Sequence, residues 1–285
     1  MRKILTQILS FTFIYMAIFA IMRFMMLSSL PDTNGNGWGE VFLYGLGHDM
    51  RTFSTIFLPI FLCGFLSYLN RFIRLNLSKA YQIFSTIYIS IVSFIVAIFA
   101  FIGYYYYQIY QNKIDMFIFG FKDDDTAALI SIIWNDYPVI LILLCALVFA
   151  ILCGYLNSKI LKIKFKKSNQ PIWILIICNI ILIYAYAVAL RAHPVYNALR
   201  ASTYQFSSFK PFNEISTNPI MALSWASKEY KNQANFPYVD MNRGKELQKR
   251  LFDMFATTKQ NPNHAKMHIH FNLMESFGLG LLQED

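Results

Sequence analysis

The sequence predicts an α-helical membrane protein, and three observations carry that expectation. Of 285 residues, 56% are hydrophobic and only 14% charged, with a mean hydropathy of +0.41; a soluble domain carries roughly a quarter charged residues. The apolar residues gather in long runs over the first two thirds of the chain and thin out after about Arg191. The densest basic cluster lies between two of those runs, as in the cytoplasmic loops of membrane proteins. This pattern excludes an ordinary soluble enzyme.

A helix that crosses the hydrocarbon core needs about 20 predominantly apolar residues. Five segments meet that need: 4–27, 53–69, 81–104, 139–156 and 172–190. The first follows only Met1, Arg2 and Lys3, is longer than a signal-peptide core and lacks a small-residue cleavage site, so it is expected to be retained. Arg2 and Lys3, then Arg71, Arg74 and Lys79, then Lys159, Lys162, Lys164, Lys166 and Lys167 all fall on one side of five crossings. By the positive-inside rule that side is cytoplasmic, which places the amino terminus inside and the tail after Arg191 outside. These ten basic residues account for more than the whole net charge of +9. That charge therefore meets anionic headgroups, and no nucleic-acid partner is expected. The loop after the third segment holds Asp115, Asp123, Asp124, Asp125 and Asp136 against Lys113 and Lys122. Residues 104–107, Trp134 with Tyr137, and Trp173 place aromatic rings at headgroup level.

Cys63, Cys145, Cys153 and Cys178 all fall inside the apolar runs without metal-ligand spacing, and read as buried small hydrophobes. Arg23, near the end of the first segment, admits two readings. It snorkels to the outer headgroups, or it faces substrate and contacts a lipid phosphate, since charges within a membrane are often functional. His48, Asp49 and Arg51 bunch at the mouth of the second segment. Asp49 then caps a helix start with Arg51 at the interface, or His48 and Arg51 read a headgroup, Arg51 through a bidentate phosphate contact. The Asp123–Asp124–Asp125 triplet reads as a cap at a helix start.

Beyond Arg191 the chain becomes a polar connector with two expected helices. One starts at Asn218-Pro219 and runs through Tyr230, with Pro219 in its first turn; the other runs from Arg243 to Phe255. An Asn-Pro-Asn turn at 261–263 introduces a strand-like run over 267–274, which delivers Glu275-Ser-Phe-Gly278. His268 and His270 share a strand face that points away from Leu273 and Glu275.

Five predicted helices, an outward tail, the Gly45–Thr52 sequence, Asn213-Glu-Ile-Ser-Thr-Asn-Pro219, and an apolar strand ending in Met274-Glu-Ser-Phe277 together resemble one family. It is the lipoteichoic acid synthase and phosphoglycerol transferase family of membrane-bound, sulfatase-like enzymes in the alkaline phosphatase superfamily. The resemblance implies five transmembrane helices over 1–190, an extracytoplasmic helical connector over 191–264, and the first strand of a truncated α/β sulfatase-like domain over 265–285. It implies residence in a bacterial cytoplasmic membrane. It further implies transfer of a phosphorylated alcohol from a phospholipid donor to a glycan through a threonine, activated by manganese or magnesium. Glu275 takes the role of metal ligand.

The chain ends ten residues after Glu275, before the family's threonine and Asp-His ligands. The expectation is therefore a form without catalysis of its own, truncated or split from a separately encoded catalytic domain. The alternative is a non-enzymatic integral membrane protein that binds phospholipid headgroups or a separate catalytic chain. A transporter is disfavoured, because the five segments hold almost no ionisable group besides Arg23.

Overall fold

The computed structural model describes residues 2–30, 37–69, 77–122, 126–163, 172–191, 205–232 and 240–255. Those residues form α-helices with one 3-10 helix, and no strand occurs among them. Two compact units divide the chain, 1–233 and 234–285. The first holds α1 (Arg2–Ser28), α2 (Trp38–Ile56), α3 (Leu58–Leu69), α4 (Leu77–Tyr110), the 3-10 helix Met116–Lys122, α5 (Thr126–Asp136), α6 (Val139–Lys162), α7 (Ile172–Arg191), α8 (Lys210–Ser216) and α9 (Pro219–Lys231). The second holds α10 (Met241–Phe255).

The chain is a helical membrane protein: α1, α4 and α6 contain spans long and apolar enough to cross a bilayer. Their outward faces are as apolar as their inward ones. On α1, Ile4, Ile8, Phe11, Tyr15, Phe19, Met22 and Met26 form the buried stripe at steps of three or four residues. The opposite face carries Leu9, Phe13, Ile21 and Phe24, with Phe13 75% exposed. A water-soluble helix would place charge there; a lipid-facing one does not. An apolar core of Phe11, Tyr15, Phe19, Phe53, Phe57 and Ile60 joins α1 to α2 and α3.

The α4–α6 pair is drawn together by small residues. Ala146, Ala150, Cys153, Gly154 and Asn157 line the buried face of α6. A Cβ at Gly154 would collide with the Ser90 hydroxyl, so only glycine allows this approach without a shift. Toward the end of the bundle where α1 begins, Gln7 Nε2 donates to Asn157 Oδ1 at 2.6 Å, and Asn157 Nδ2 donates to Thr86 Oγ1 at 3.1 Å. The Tyr81 hydroxyl donates to Gln7 Oε1. Three helices thus share one polar clamp, and each buried amide finds partners inside an apolar bundle.

The segment expected as one helix over 53–69 is two helices that meet at Phe57. Pro59 is the cause: it has no N–H to give Thr55, and its ring crowds the carbonyl four residues back. The nearby carbonyls are satisfied from other helices. The Tyr186 hydroxyl of α7 donates to Ser54 O at 2.6 Å, and the Tyr88 hydroxyl of α4 donates to Ile56 O. Tyr186 also stacks on Phe61 with centroids 3.8 Å apart.

Other expectations meet the structure unevenly. The cysteines are free thiols, but only Cys153 is buried; Cys145 of α6 and Cys178 of α7 are exposed, and Cys63 is half-buried. The connector helices form where expected, as α9 and α10. Asp123, Asp124, Asp125, the 267–274 run with His268 and His270, and Glu275 lie outside the described residues.

Removing the Tyr186 hydroxyl leaves the Ser54 carbonyl without that donor. Tyr186→Phe is expected to lower stability by about 1 kcal/mol, read as thermal unfolding in detergent micelles. Tyr184→Phe, on an exposed ring of the same helix, serves as the control that should not shift.

Candidate functional site

The polar chemistry of the first unit gathers where α1, α2, α8 and α9 meet. On α2 the buried face reads Val41, Gly45, His48, Asp49, Thr52 and Phe53, a helical period that turns three polar residues inward. On α1 the inward stripe brings Arg23 beside Met22. The Arg23 guanidinium grips the Asp49 carboxylate with two parallel bonds, Nη1 to Oδ2 at 2.7 Å and Nη2 to Oδ1 at 2.8 Å. Both side chains are buried, at 1% and 0% exposure.

The remaining valences of the pair are spent on backbone and on one amide. Arg23 Nη2 also donates to Gly45 O at 3.3 Å, and Nε donates to Ser216 O at 3.3 Å. Ser216 is the last residue of α8, so the cation satisfies one of the carbonyls that a helix end leaves open. Asn218 Nδ2 donates to Asp49 Oδ1 at 2.7 Å. Its Oδ1 accepts from the N–H groups of Ile220 and Met221, capping α9, while Pro219 occupies the first helical position. Gly45 has a packing reason as well: a Cβ there would lie 2.6 Å from Arg23 Nε.

The connector segment leading into this corner braces itself. Asn213 Oδ1 accepts from the N–H groups of Phe206 and Ser207, and its Nδ2 donates to Ser207 O at 2.7 Å. The Asn213 carbonyl accepts from the hydroxyls of Ser216 and Thr217. An ion pair between Lys113 Nζ and Glu214 Oε2 at 2.7 Å ties the chain after α4 to α8.

The structure separates the three residues read as headgroup contacts. Arg23 does not snorkel; it is buried and committed to Asp49. Asp49 does not cap a helix start, because α2 already begins at Trp38. His48 is fully buried, with Nδ1 3.2 Å from Met221 Sδ and its ring edge-on to Trp225. Burial first, then the cations Arg23, Arg51 and Lys113, push its pKa down to about 3, so the ring is neutral. Arg51 remains half-buried on α2. Among the described residues no group of three His, Cys, Asp or Glu side chains could hold a metal ion.

Asn218, Ser216 and Gly45 carry no sequence mark as partners of the pair. One signal was available: Arg23 and Asp49 are opposite charges set beside apolar runs, and such charges pair. A separate concavity of about 330 Å³ lies between α1, α4 and α6, lined by apolar side chains that include Ile18, Met25, Ala97, Phe101, Cys145 and Phe149. No family model, no curated protein and no solved structure matches this chain.

Asp49→Ala strands the buried guanidinium and is expected to cost about 3–5 kcal/mol, measured as thermal unfolding in micelles. Replacing both partners by apolar residues, Arg23→Met with Asp49→Leu, should recover part of that loss, the remainder being the cost of leaving the Ser216 carbonyl and the Asn218 amide without these partners; a double variant no better than Asp49→Ala would refute the charge argument. His48 gives a pH dependence of known sign. Its folded pKa of about 3 lies below the unfolded value of about 6.5, so the unfolded chain takes up the proton first. Stability is therefore full above about pH 6.5 and falls as pH drops toward 3. His48→Leu should flatten that decline by up to about 1.4 kcal/mol per pH unit.

Proposed function

We propose that this chain is the membrane portion of a phosphoglycerol or phosphoethanolamine transferase of the sulfatase-like type, working on a phospholipid donor and an extracytoplasmic glycan acceptor. One observation carries the reading. Gly45–Thr52 and Asn213–Pro219, two of the segments that carry the resemblance, lie about 170 positions apart in sequence, yet meet on the Arg23–Asp49 pair through Gly45, Asp49, Ser216 and Asn218. Motifs that meet at one buried point serve a common mechanical purpose, which here is to mount the connector on the membrane helices.

In this reading five crossings arise when 53–69 and α7 join α1, α4 and α6. The amino terminus is cytoplasmic and the connector lies outside a bacterial cytoplasmic membrane. The Arg23–Asp49 network then sits at the outer face and sets the height at which the connector leaves the bilayer. The apolar groove between α1, α4 and α6 suits a donor acyl chain, since its lining offers a headgroup little to bind.

Glu275 contributes one carboxylate toward manganese or magnesium. One carboxylate is too few ligands to hold such an ion, and no residue of this sequence is matched to the threonine nucleophile. Residues 1–285 by themselves are therefore expected to give no turnover.

The test is manganese-dependent release of diacylglycerol from phosphatidylglycerol or from phosphatidylethanolamine in membranes. The chain alone should give none. Co-expression with a separate chain carrying the threonine and the Asp-His ligands should give turnover, and Glu275→Ala should abolish it. Turnover by the single chain, or co-expressed turnover indifferent to Glu275→Ala, counts against the proposal.

A further inference from the structure

We infer that α10 is an interfacial helix that lies flat on an anionic lipid surface. The inference rests on the second unit alone. Around a helix, at about 100° per residue, Leu247, Leu251, Met241 and Phe252 fall in one arc. All four are exposed, Phe252 at 65% and Met241 at 74%. Gly244 and Gln248 complete that arc, so no charge interrupts it.

The charges are ordered around the arc rather than scattered. Lys245 and Lys249 follow the edge next to Phe252, and Arg243 and Arg250 follow the edge next to Leu247. Glu246 sits between the two basic borders, opposite the apolar arc, where it pairs with Arg250 at 2.8 Å on the exposed side. Across the whole helix four cations stand against Glu246 and Asp253.

Basic residues at both borders with an acid at the pole complement a bilayer surface. The apolar arc enters the acyl boundary, the flexible basic stems reach the phosphate level on either side, and the acid faces water. A partner protein would cover the same apolar arc, but gives no reason for cations on both edges. A helix of 15 residues that contains a glycine is marginal in water, so lipid contact also accounts for its formation.

The test uses the full chain, with the four native cysteines replaced by alanine and a single thiol introduced by Leu251→Cys or Glu246→Cys. Each is labelled with an environment-sensitive fluorophore and reconstituted in vesicles of phosphatidylcholine with about 30% phosphatidylglycerol. Some lipids carry a nitroxide near the headgroup. Quenching at position 251 should exceed that at 246 by about twofold or more, and Arg243→Glu with Arg250→Glu should reduce it. Absence of lipid quenching at 251, whether from solvent exposure or from cover by protein, overturns the inference, as does equal quenching at both positions. Quenching at 251 that ignores the charge reversal overturns its anionic component.

Discussion

Arg23 and Asp49 impose the constraint around which the rest of the first unit is arranged. Each charge is buried, and either one alone would face a desolvation penalty of several kcal/mol. The pair is tolerable because the guanidinium engages the carboxylate with two bonds and also donates to the carbonyls of Gly45 and Ser216. Gly45 must be small, α8 must end with its Ser216 carbonyl aimed at Nε, and Asn218 must turn its amide toward Asp49. Satisfied valences, together with the burial of Phe212 and Ile215 in the apolar core, hold α8 and α9 on α1 and α2.

The same logic recurs at lower charge elsewhere in the bundle. Gln7, Asn157 and Tyr81 close one clamp, and Tyr88 and Tyr186 answer the helix break that Pro59 creates. In each case a polar group inside an apolar bundle finds its partner on a different helix. Interhelical polar bonds of this kind specify which helices are neighbours, because dispersion between apolar faces discriminates poorly among them. Close approach then depends on small residues, as at Gly154 against Ser90.

Much of the helical layout was legible from residue patterns. The apolar runs marked α1, α4 and α6, and Asn218-Pro219 marked the start of α9 through capping chemistry. The second run was misread because apolarity was used to find its start. The helix begins at Trp38, well before Phe53, and its glycines and polar residues 45–49 resemble a loop unless their inward period is noticed. The candidate site was legible in its members and not in their roles. Arg23 and His48 were singled out for headgroup contact, a role that requires exposure, and both are buried. No local pattern states that Arg23 has Asp49 26 residues away and Ser216 193 residues away as partners.

Composition and periodicity by themselves determined that the chain is helical, that its helices are apolar enough for a membrane, and where capping residues start the connector helix. Those properties are local: they depend on residue type at spacings of a few positions, and a single sequence displays them. Only the tertiary structure decided that Arg23 is a paired strut and that Pro59 splits a segment whose carbonyls near the break, at Ser54 and Ile56, accept from α7 and α4. It also decided that Gly45–Thr52 and Asn213–Pro219 share one buried junction. These are long-range pairings, set by burial that makes an unmet charge or carbonyl too costly to leave alone.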